Sequence, residues 1–448
     1  MTARNREALA LLPSALLVTA GFTAIFLKRD EFLSDASLAY GAAFLALCLI
    51  GHLVIRFTAP NADPFLFPIV ALLACFGLVE LYRIDVSFAQ AQAQWFVVGL
   101  GLFAVTMIVL RDYHQLERYR YTIAVASLLL LLLPRLPVIG QATNGAYLSI
   151  KIGPLAFQAA EFAKLGIVIF LASYLRDTRQ VLIHGGRKVL GVMLPPLKHF
   201  GPLLAIWGTA MVMLIFIRDL GSSLMFFGAF LALIYVATGK LRYPLGGIAA
   251  FAAGAYVVGG QVSHVQDRVA SWRQPFDPVL FGSSSIEPRP PEFGTSYQLA
   301  QSLFAQADGG LFGRGFGQAE LATAVSDNGT VTTSLLPAAQ TDMIYALITN
   351  ETGLLGAAAI LLAYLLFIHR GFRVAILARD PFSKLLATGL TAVFALQVFV
   401  IVGGVTKVIP LTGVTMPFIS YGGSSILANF VLLALLMRVS EEARRPTR

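Results

Sequence analysis

The sequence predicts an all-α polytopic membrane protein of about twelve transmembrane helices with one large external loop. Three observations lead there. Charged residues make up 13% of the chain and hydrophobic ones 57%, whereas an ordinary soluble domain carries roughly 25% charged residues. Apolar runs repeatedly reach the ~20 residues that a helix needs to cross a bilayer. Lysines and arginines gather in alternate connecting segments, the pattern that sets membrane topology. The formal charge of +9 is therefore read as a lipid-facing basic side, with membrane lipid and no nucleic acid as its partner.

The spans are expected near residues 8–27, 36–57, 64–83, 93–110, 121–138, 159–176, 199–217, 221–239, 243–263, 342–369, 383–406 and 419–438. The first follows Arg4 and Arg6 at the position of a signal peptide. Its run "ALALLPSALLVTAGFTAIFLKRDEF" lacks a small-x-small cleavage site and reads as a retained anchor. Cys48 and Cys75 lie inside apolar runs, as small core hydrophobes do, and imply no disulfide or metal framework.

Orientation follows from the short loops. The segment "RDYHQLERYR", the basic stretch 176–198, Lys240 with Arg242, the stretch 370–384 and the tail "EEARRPTR" fall on one side, together with Arg4 and Arg6. That side, with both termini, is expected to be cytoplasmic. The other side then carries the long segment 264–341, with prolines from Pro275 to Pro291, the glycine-dense "DGGLFGRGFGQ" and the amphipathic "SYQLAQSLFA". Loops longer than ~12–15 residues are usually functional or disordered. Aromatic residues spread through this one point to an ordered external element, part of which could lie flat at the lipid interface. The chain thus divides into N-terminal helices and the start of the bundle (1–90), a transmembrane core (91–263), the large loop (264–341), C-terminal helices (342–440) and a tail (441–448).

Ionisable groups inside spans are expensive and usually face a protein interior or a wet cavity. Glu161 and Lys164 in "FQAAEFAKLGIVIF" share one helix face, which fits a local ion pair or a substrate-binding pair. Arg218 and Asp219 in "FIRDLGSS" are adjacent, so each is expected to have its own partner. Asp342 follows Thr341 at the mouth of the tenth span. On position alone helix chemistry is the favoured account, a first-turn acid behind a Thr341 N-cap; the alternative is a catalytic base at the bilayer surface. At roughly 100° per residue, Asn350 and Glu351 are expected near the same side as Asp342. The stretch "VIPLTGVTMPFISYGGSSILANF", with Ser420, Tyr421 and Ser424, reads as broken or re-entrant backbone, tolerated at membrane depth only where protein or water covers it. Its "YGGSS" offers N–H groups for an anion at a helix N-terminus, or close packing through small residues. Polar groups clustered toward the outer leaflet point to a cavity there. A transporter or flippase of a lipid-linked substrate is the alternative, and it requires access from both sides.

In order along the chain, "NGAYLSIKIGPLAFQAAEFAK", "RDLGSS", "SYQLAQSLFAQADGGLFGRGFGQ", "LPAAQTDMIYALITNETGLLG" and "IPLTGVTMPFISYGGSS" resemble the motifs of the SEDS family, that of RodA, FtsW and SpoVE. The resemblance runs from about Asn144 to Arg438. It implies a ten-helix core, so that two N-terminal spans are additional, in a bacterial cytoplasmic membrane. It implies a peptidoglycan glycosyltransferase that polymerises lipid II at the outer face, with a role in cell elongation (RodA-like) more than in division (FtsW-like). A GlcNAc 4-hydroxyl attacks the MurNAc anomeric carbon, undecaprenyl pyrophosphate leaves, and an α link becomes β-1,4. Asp342 corresponds to the general base. Glu161, Lys164, Arg218, Asp219, Arg268, Glu351, Ser420, Tyr421 and Ser424 are the implied substrate-binding set. Lys164 is the first cation for the leaving group, with Arg218 or Arg268 behind it and a divalent Mg or Mn ion as a substitute. A class B penicillin-binding protein is the implied partner. The chain departs from the family pattern at Ala338 and Gln340 (Glu and His there), at Asn350 (the first of a Glu pair) and at Lys407 (a glycine).

Overall fold

The computed structural model describes residues 2–28, 36–136, 140–143, 146–152, 155–184, 187–189, 192–194, 197–217, 219–259, 263–273, 294–319, 321–325, 331–334 and 336–446. The chain opens with α1 (Ala3–Ala10) and α2 (Leu12–Lys28), followed by α3 (Ala36–Thr58), α4 (Leu66–Ile84) and α5 (Val86–Val109). A short α6 (Gln115–Arg118) leads into α7 (Arg120–Leu132). The antiparallel strands β1 (Gly140–Thr143), β2 (Ala146–Ile152) and β3 (Leu155–Phe157) precede α8 (Ala160–His184). The hairpin β4 (Arg187–Val189) and β5 (Val192–Leu194) connects to α9 (Leu197–Val212), which runs on as a π turn over Met213–Ile217. Then come α10 (Leu220–Thr238), α11 (Arg242–Gly259), α12 (Ser263–Arg273) and α13 (Gly294–Gly309). The hairpin β6 (Ala322–Val325) and β7 (Val331–Ser334) separates these from α14 (Ile344–Leu377), α15 (Pro381–Val405) and α16 (Gly423–Arg444).

Several helix starts follow from single residues. Asp85, Asp219 and Asp380 each accept a backbone N–H, from Ser87, Ser222 and Ser383, at 2.7, 2.9 and 3.0 Å. Each satisfies an N–H that the helix itself leaves open. Pro381 sits at the first helical position, where its missing N–H costs nothing. Gly239 ends α10 in the left-handed conformation, φ 66°.

Among the described residues, eight helices are long and apolar enough to cross a membrane. They include α4, α5, α14, α15 and α16 in full. Helices also stand at the remaining expected positions, but α7 has 13 residues and α8 carries Glu161, Lys164, Arg176 and Asp177. A polytopic helical membrane protein is thus what the chain builds. The most buried helices are α15 and α16. They pack against α14, α10 and α8, and against α5, respectively.

One end of the bundle is basic. There Asp63 accepts from Arg444 and faces Arg370 at 3.5 Å, and Arg438 Nη1 donates to Thr58 O at 2.7 Å. These contacts tie the turn after α3 to the end of α16. The opposite end carries α12, α13 and the β6–β7 hairpin. The amphipathic α13 does not lie free at an interface. Its Leu299, Ala300 and Ser302 are buried, and Ser302 Oγ donates to Val405 O at 3.0 Å, so the helix is docked onto α14 and the end of α15. The proline-rich stretch 274–293 lies outside the described residues.

Gly353 divides α14, with φ 70° and ψ −175°. A side chain there would meet Gly313 N at 2.3 Å and Leu311 O at 2.4 Å. The glycine-rich turn after α13 is laid against this break through backbone bonds. Arg314 N donates to Asn350 O, Gly315 N to Glu351 O and Leu354 N to Gly310 O, at 2.9, 3.0 and 2.9 Å. After Gly353, α14 is still about 36 Å long at ~1.5 Å per residue, enough for a ~30 Å hydrocarbon layer. The piece from Ile344 to Thr352 is therefore a separate buried helix at the loop end, and Asp342 stands just before it.

Candidate active site

Asp342 lies in a turn, not in a helix. Thr341 N and Met343 N both donate to Ala338 O, at 3.0 and 3.1 Å, and Ala338 adopts φ 55°. The helix then starts at Ile344, behind Met343, with no side-chain cap. Thr341 is not an N-cap and Asp342 is not in a first helical turn, so the capping account of this acid fails. The turn is held from across the bundle instead. Ser420 Oγ donates to Thr341 O at 2.8 Å, and Tyr421 N donates to Gln340 O at 2.8 Å.

The Asp342 carboxylate packs over Gly413, a left-handed residue with φ 74°. On the same glycine lies the guanidinium of Arg268 from α12. Burial pushes the Asp342 carboxyl up to about 6, while the Arg268 charge and a hydrogen bond with Thr341 pull it down. Its side chain nonetheless keeps a partly open face. Arg268 Nη1 donates to Leu411 O at 2.6 Å, and its Nε is buried without a hydrogen-bond partner. Burial lowers the guanidinium's own pKa, and both Asp219 and Asp342 act against that. A second anchor fixes α12: Trp272 Nε1 donates to Lys407 O at 3.0 Å. Lys407 has φ 61°, which explains why the family pattern has glycine there; a lysine adopts this conformation at a cost of about 1–2 kcal/mol.

The other sequence-selected groups divide between this centre and its supports. Asp219 caps α10 and lies within electrostatic reach of Arg268 and Glu161. Arg218 lies outside the described residues. Glu161 and Lys164 do form the local pair, Nζ to Oε2 at 2.5 Å, and Lys164 is only 1% exposed. Lys164 Nζ also donates to Gln397 Oε1 at 2.7 Å, and Gln397 Nε2 donates to Thr415 O at 2.9 Å. That chain of bonds runs from α8 through α15 to the irregular segment 406–422.

Glu351 and Asn350 do not join Asp342. Glu351 pairs with Arg83 Nε at 2.6 Å and accepts Gly317 N at 2.7 Å. Asn350 Nδ2 donates to Ala305 O and Asp308 Oδ2, at 2.8 and 3.0 Å. Helical periodicity carried the expectation of a shared side; because the helix starts only at Ile344, Asp342 falls outside that periodicity. Broken backbone before the last span is present over 406–422, and its residues from Leu411 to Ser420 are largely buried. Two of the "YGGSS" amides are engaged within the protein: Tyr421 N as above, and Gly422 N with Gln92 Oε1 at 3.2 Å. Ser424 Oγ accepts Gln158 N at 2.9 Å, and a side chain on Gly423 would strike the Trp95 ring at 2.3 Å. Gly423 thus packs closely against α5.

Two residues that sequence reasoning passed over connect these parts. Gln397 is a lone amide inside an apolar helix and Gln92 is the middle of the three glutamines Gln90, Gln92 and Gln94 of α5; Gln92 Nε2 donates to Ser420 O at 2.9 Å. A neutral polar group within an apolar run carries the same signal as a charge there, only weaker. Beside Asp342 stands the guanidinium of Arg268, a cation and not a metal ligand, so the donor set there does not fit a divalent ion held by protein alone. Among the described residues, the one trio spaced for a metal is His114, Asp380 and Glu442, at the basic end.

Comparison with known proteins agrees with this architecture. A family model described as "Cell cycle protein", for FtsW, RodA and SpoVE, matches residues 63–445, leaving α1 to α3 outside it. The chain is 40% identical to "Peptidoglycan glycosyltransferase RodA" of Mycobacterium tuberculosis, over all of this chain and 92% of the relative. It is 29% identical to "Stage V sporulation protein E" of Bacillus subtilis, over 86% of this chain and 98% of that one. In fold it is similar to a chain of a peptidoglycan synthase complex, with a TM-score of 0.63 at 24% identity, covering 86% of this chain and 99% of that one. The Rod shape determining protein RodA of Thermus thermophilus gives a TM-score of 0.58 at 24% identity, covering 86% of this chain and 98% of that one. With its bundle, its external turn and its C-terminal signature all accounted for, the chain belongs to the FtsW/RodA/SpoVE family.

Proposed function

We propose that this chain is a peptidoglycan glycosyltransferase that polymerises lipid II, with its loop end outside the cytoplasmic membrane and Asp342 as general base. The observation that carries the reading is the state of Asp342: a carboxylate in a non-helical turn, partly open, raised to about 6 by burial and flanked by Arg268. A general base works best with a pKa near the operating pH and contributes ~10²–10⁴-fold. In the reaction, Asp342 takes the proton of the acceptor's 4-hydroxyl as that oxygen bonds to the donor's anomeric carbon. The bond from that carbon to the pyrophosphate oxygen breaks, and its electron pair leaves on the pyrophosphate.

Arg268 is the cation assigned to that developing charge. It stands beside Asp342, whereas Lys164 is enclosed by Glu161 and Gln397 and serves to hold α8 against the irregular segment. A RodA-type role in elongation is supported by 40% identity to RodA across the whole chain, against 30% to "Probable peptidoglycan glycosyltransferase FtsW" of Geobacter metallireducens over 82% of it. A transpeptidase of the class B penicillin-binding type is the partner that would crosslink the product. The test is a polymerisation assay with purified protein and lipid II, alone and with the candidate partner. Glycan strands from the wild type and none from Asp342→Asn are the expected result; strands from the Asn variant at the wild-type rate would exclude the mechanism.

A further inference from the structure

At the loop end, walled by residues of α13 and of the helix that follows Asp342, lies a polar pocket. It has a volume of about 280 Å³ and is walled by Gln301, Phe304, Asp308, Arg314, Leu336 and Asn350. That is the low end for small-molecule sites, the scale of one monosaccharide. Asn350 is 4% exposed, and its Oδ1 is buried without a hydrogen-bond partner. The amide cannot be turned round to relieve this, because its Nδ2 already faces two acceptors, Ala305 O and Asp308 Oδ2. A buried acceptor with no donor is an uncompensated cost in the free protein, and a ligand N–H or O–H would remove it.

The remaining wall has matching chemistry. Gln301 and the Asp308–Arg314 ion pair offer donors and acceptors at the rim, and Phe304, 50% exposed, offers an apolar face. Planar amides and carboxylates around an aromatic ring suit a pyranose, whose hydroxyls lie at its edge and whose C–H groups form a face. The backbone bonds between the glycine-rich turn and the break at Gly353 hold this wall rigid, as a preformed site requires. Leu336, in the pocket wall, opens the turn that carries Asp342, so the chain runs directly from one site to the other. Asn350 lies six residues into the helix that starts at Ile344, about 9 Å of rise at ~1.5 Å per residue, comparable with one disaccharide repeat.

We infer that this pocket binds one N-acetylated sugar of the growing strand and keeps the product attached between additions. The inference rests on the proposed polymerase function and adds a product subsite to it.

The test uses the full-length protein in nanodiscs and a β-1,4-linked N-acetylglucosamine tetramer as probe, followed by saturation-transfer NMR. Transfer to the acetyl methyls is expected for the wild type and for Asp342→Asn, with at least a five-fold loss in both Gln301→Ala and Phe304→Ala. In the polymerisation assay those two variants should give strands of less than half the wild-type mean length. Circular dichroism and the melting temperature establish that each is folded; the variants lie one turn apart, so one serves if the other is not. No transfer to the wild type, or transfer indifferent to both substitutions, overturns the subsite, including the case where only water or a partner's side chain fills it. A protein that binds the tetramer at this wall but makes no polymer would instead overturn the polymerase reading alone.

Discussion

Asp342 and Arg268 meet over Gly413: a methyl group placed on that glycine would lie 3.5 Å from Asp342 Oδ2 and 3.8 Å from Arg268 Nη2. The carboxylate comes from the turn before α14 and the guanidinium from α12, so the pair joins the two sides of the large loop. Because the cation favours the ionised acid, its presence or absence should be readable in the pH dependence of the reaction.

The active form of Asp342 is the carboxylate. With its pKa raised to about 6, the rate should climb as pH rises through 6 and level off above neutrality. Removing the positive charge in Arg268→Gln should move that limb to higher pH, and Arg268→Lys should hold it near its original place. Initial rates of polymerisation from pH 5 to 8 give the answer. A limb that stays at the same pH in the Gln variant would contradict the electrostatic link.

Asp342→Asn keeps the size of the side chain and removes no helix cap, since Asp342 caps nothing. Polymerisation should fall by ~10²-fold or more, with the melting temperature and the membrane-inserted yield unchanged. A variant that loses activity only because it no longer folds would show it in the melt.

Lys164→Ala should act on stability. It leaves Glu161 buried beside Gln397 with its cation gone, a change that costs about 3–5 kcal/mol for a broken buried pair. The double variant Glu161→Gln/Lys164→Met removes both charges and should recover much of that loss. Thermal unfolding in detergent compares the three proteins, and a double variant no more stable than Lys164→Ala would argue against the ion-pair account.

Gly353→Ala adds a methyl group where Gly313 N stands 2.3 Å away, on a residue with φ 70°. The backbone conformation alone costs ~1–3 kcal/mol for a side chain, and the turn after α13 must also move off the break. Faster proteolysis within 309–319 and a lower melting temperature are expected. Alanine at Gly310, whose φ is 54° but which has open space around it, should be milder.

The spans were legible because a bilayer asks one local question of a sequence, whether about twenty successive residues are apolar. α4, α5, α15 and α16 answer it plainly. The Asp342 turn was legible as a site, but its partners were not. Arg268 reaches it from 74 residues earlier in the chain, and Ser420 from 78 later, and hydrophobic periodicity speaks only to neighbours three or four residues apart. The same limit put Glu351 on the wrong side. It also hid the break at Gly353, since one glycine in "NETGLLG" is tolerated in a helix and its meaning comes from a distant backbone pressed against it. Gln397 went unread because it carries no charge, and the costly groups inside spans that mark a site are the ionisable ones.

The segment 406–422 has no ladder of its own. It is kept in shape by Gln92, Arg268, Trp272 and Gln397, by Tyr364 through Pro417 O at 2.5 Å, and in turn it holds the Asp342 turn through Ser420 and Tyr421. A nascent chain that has been made as far as the end of α15 has therefore made the acid but not the segment that holds it. Competence arrives with the last stretch of translation, and a product cut short before residue 406 is predicted to sit in the membrane inert.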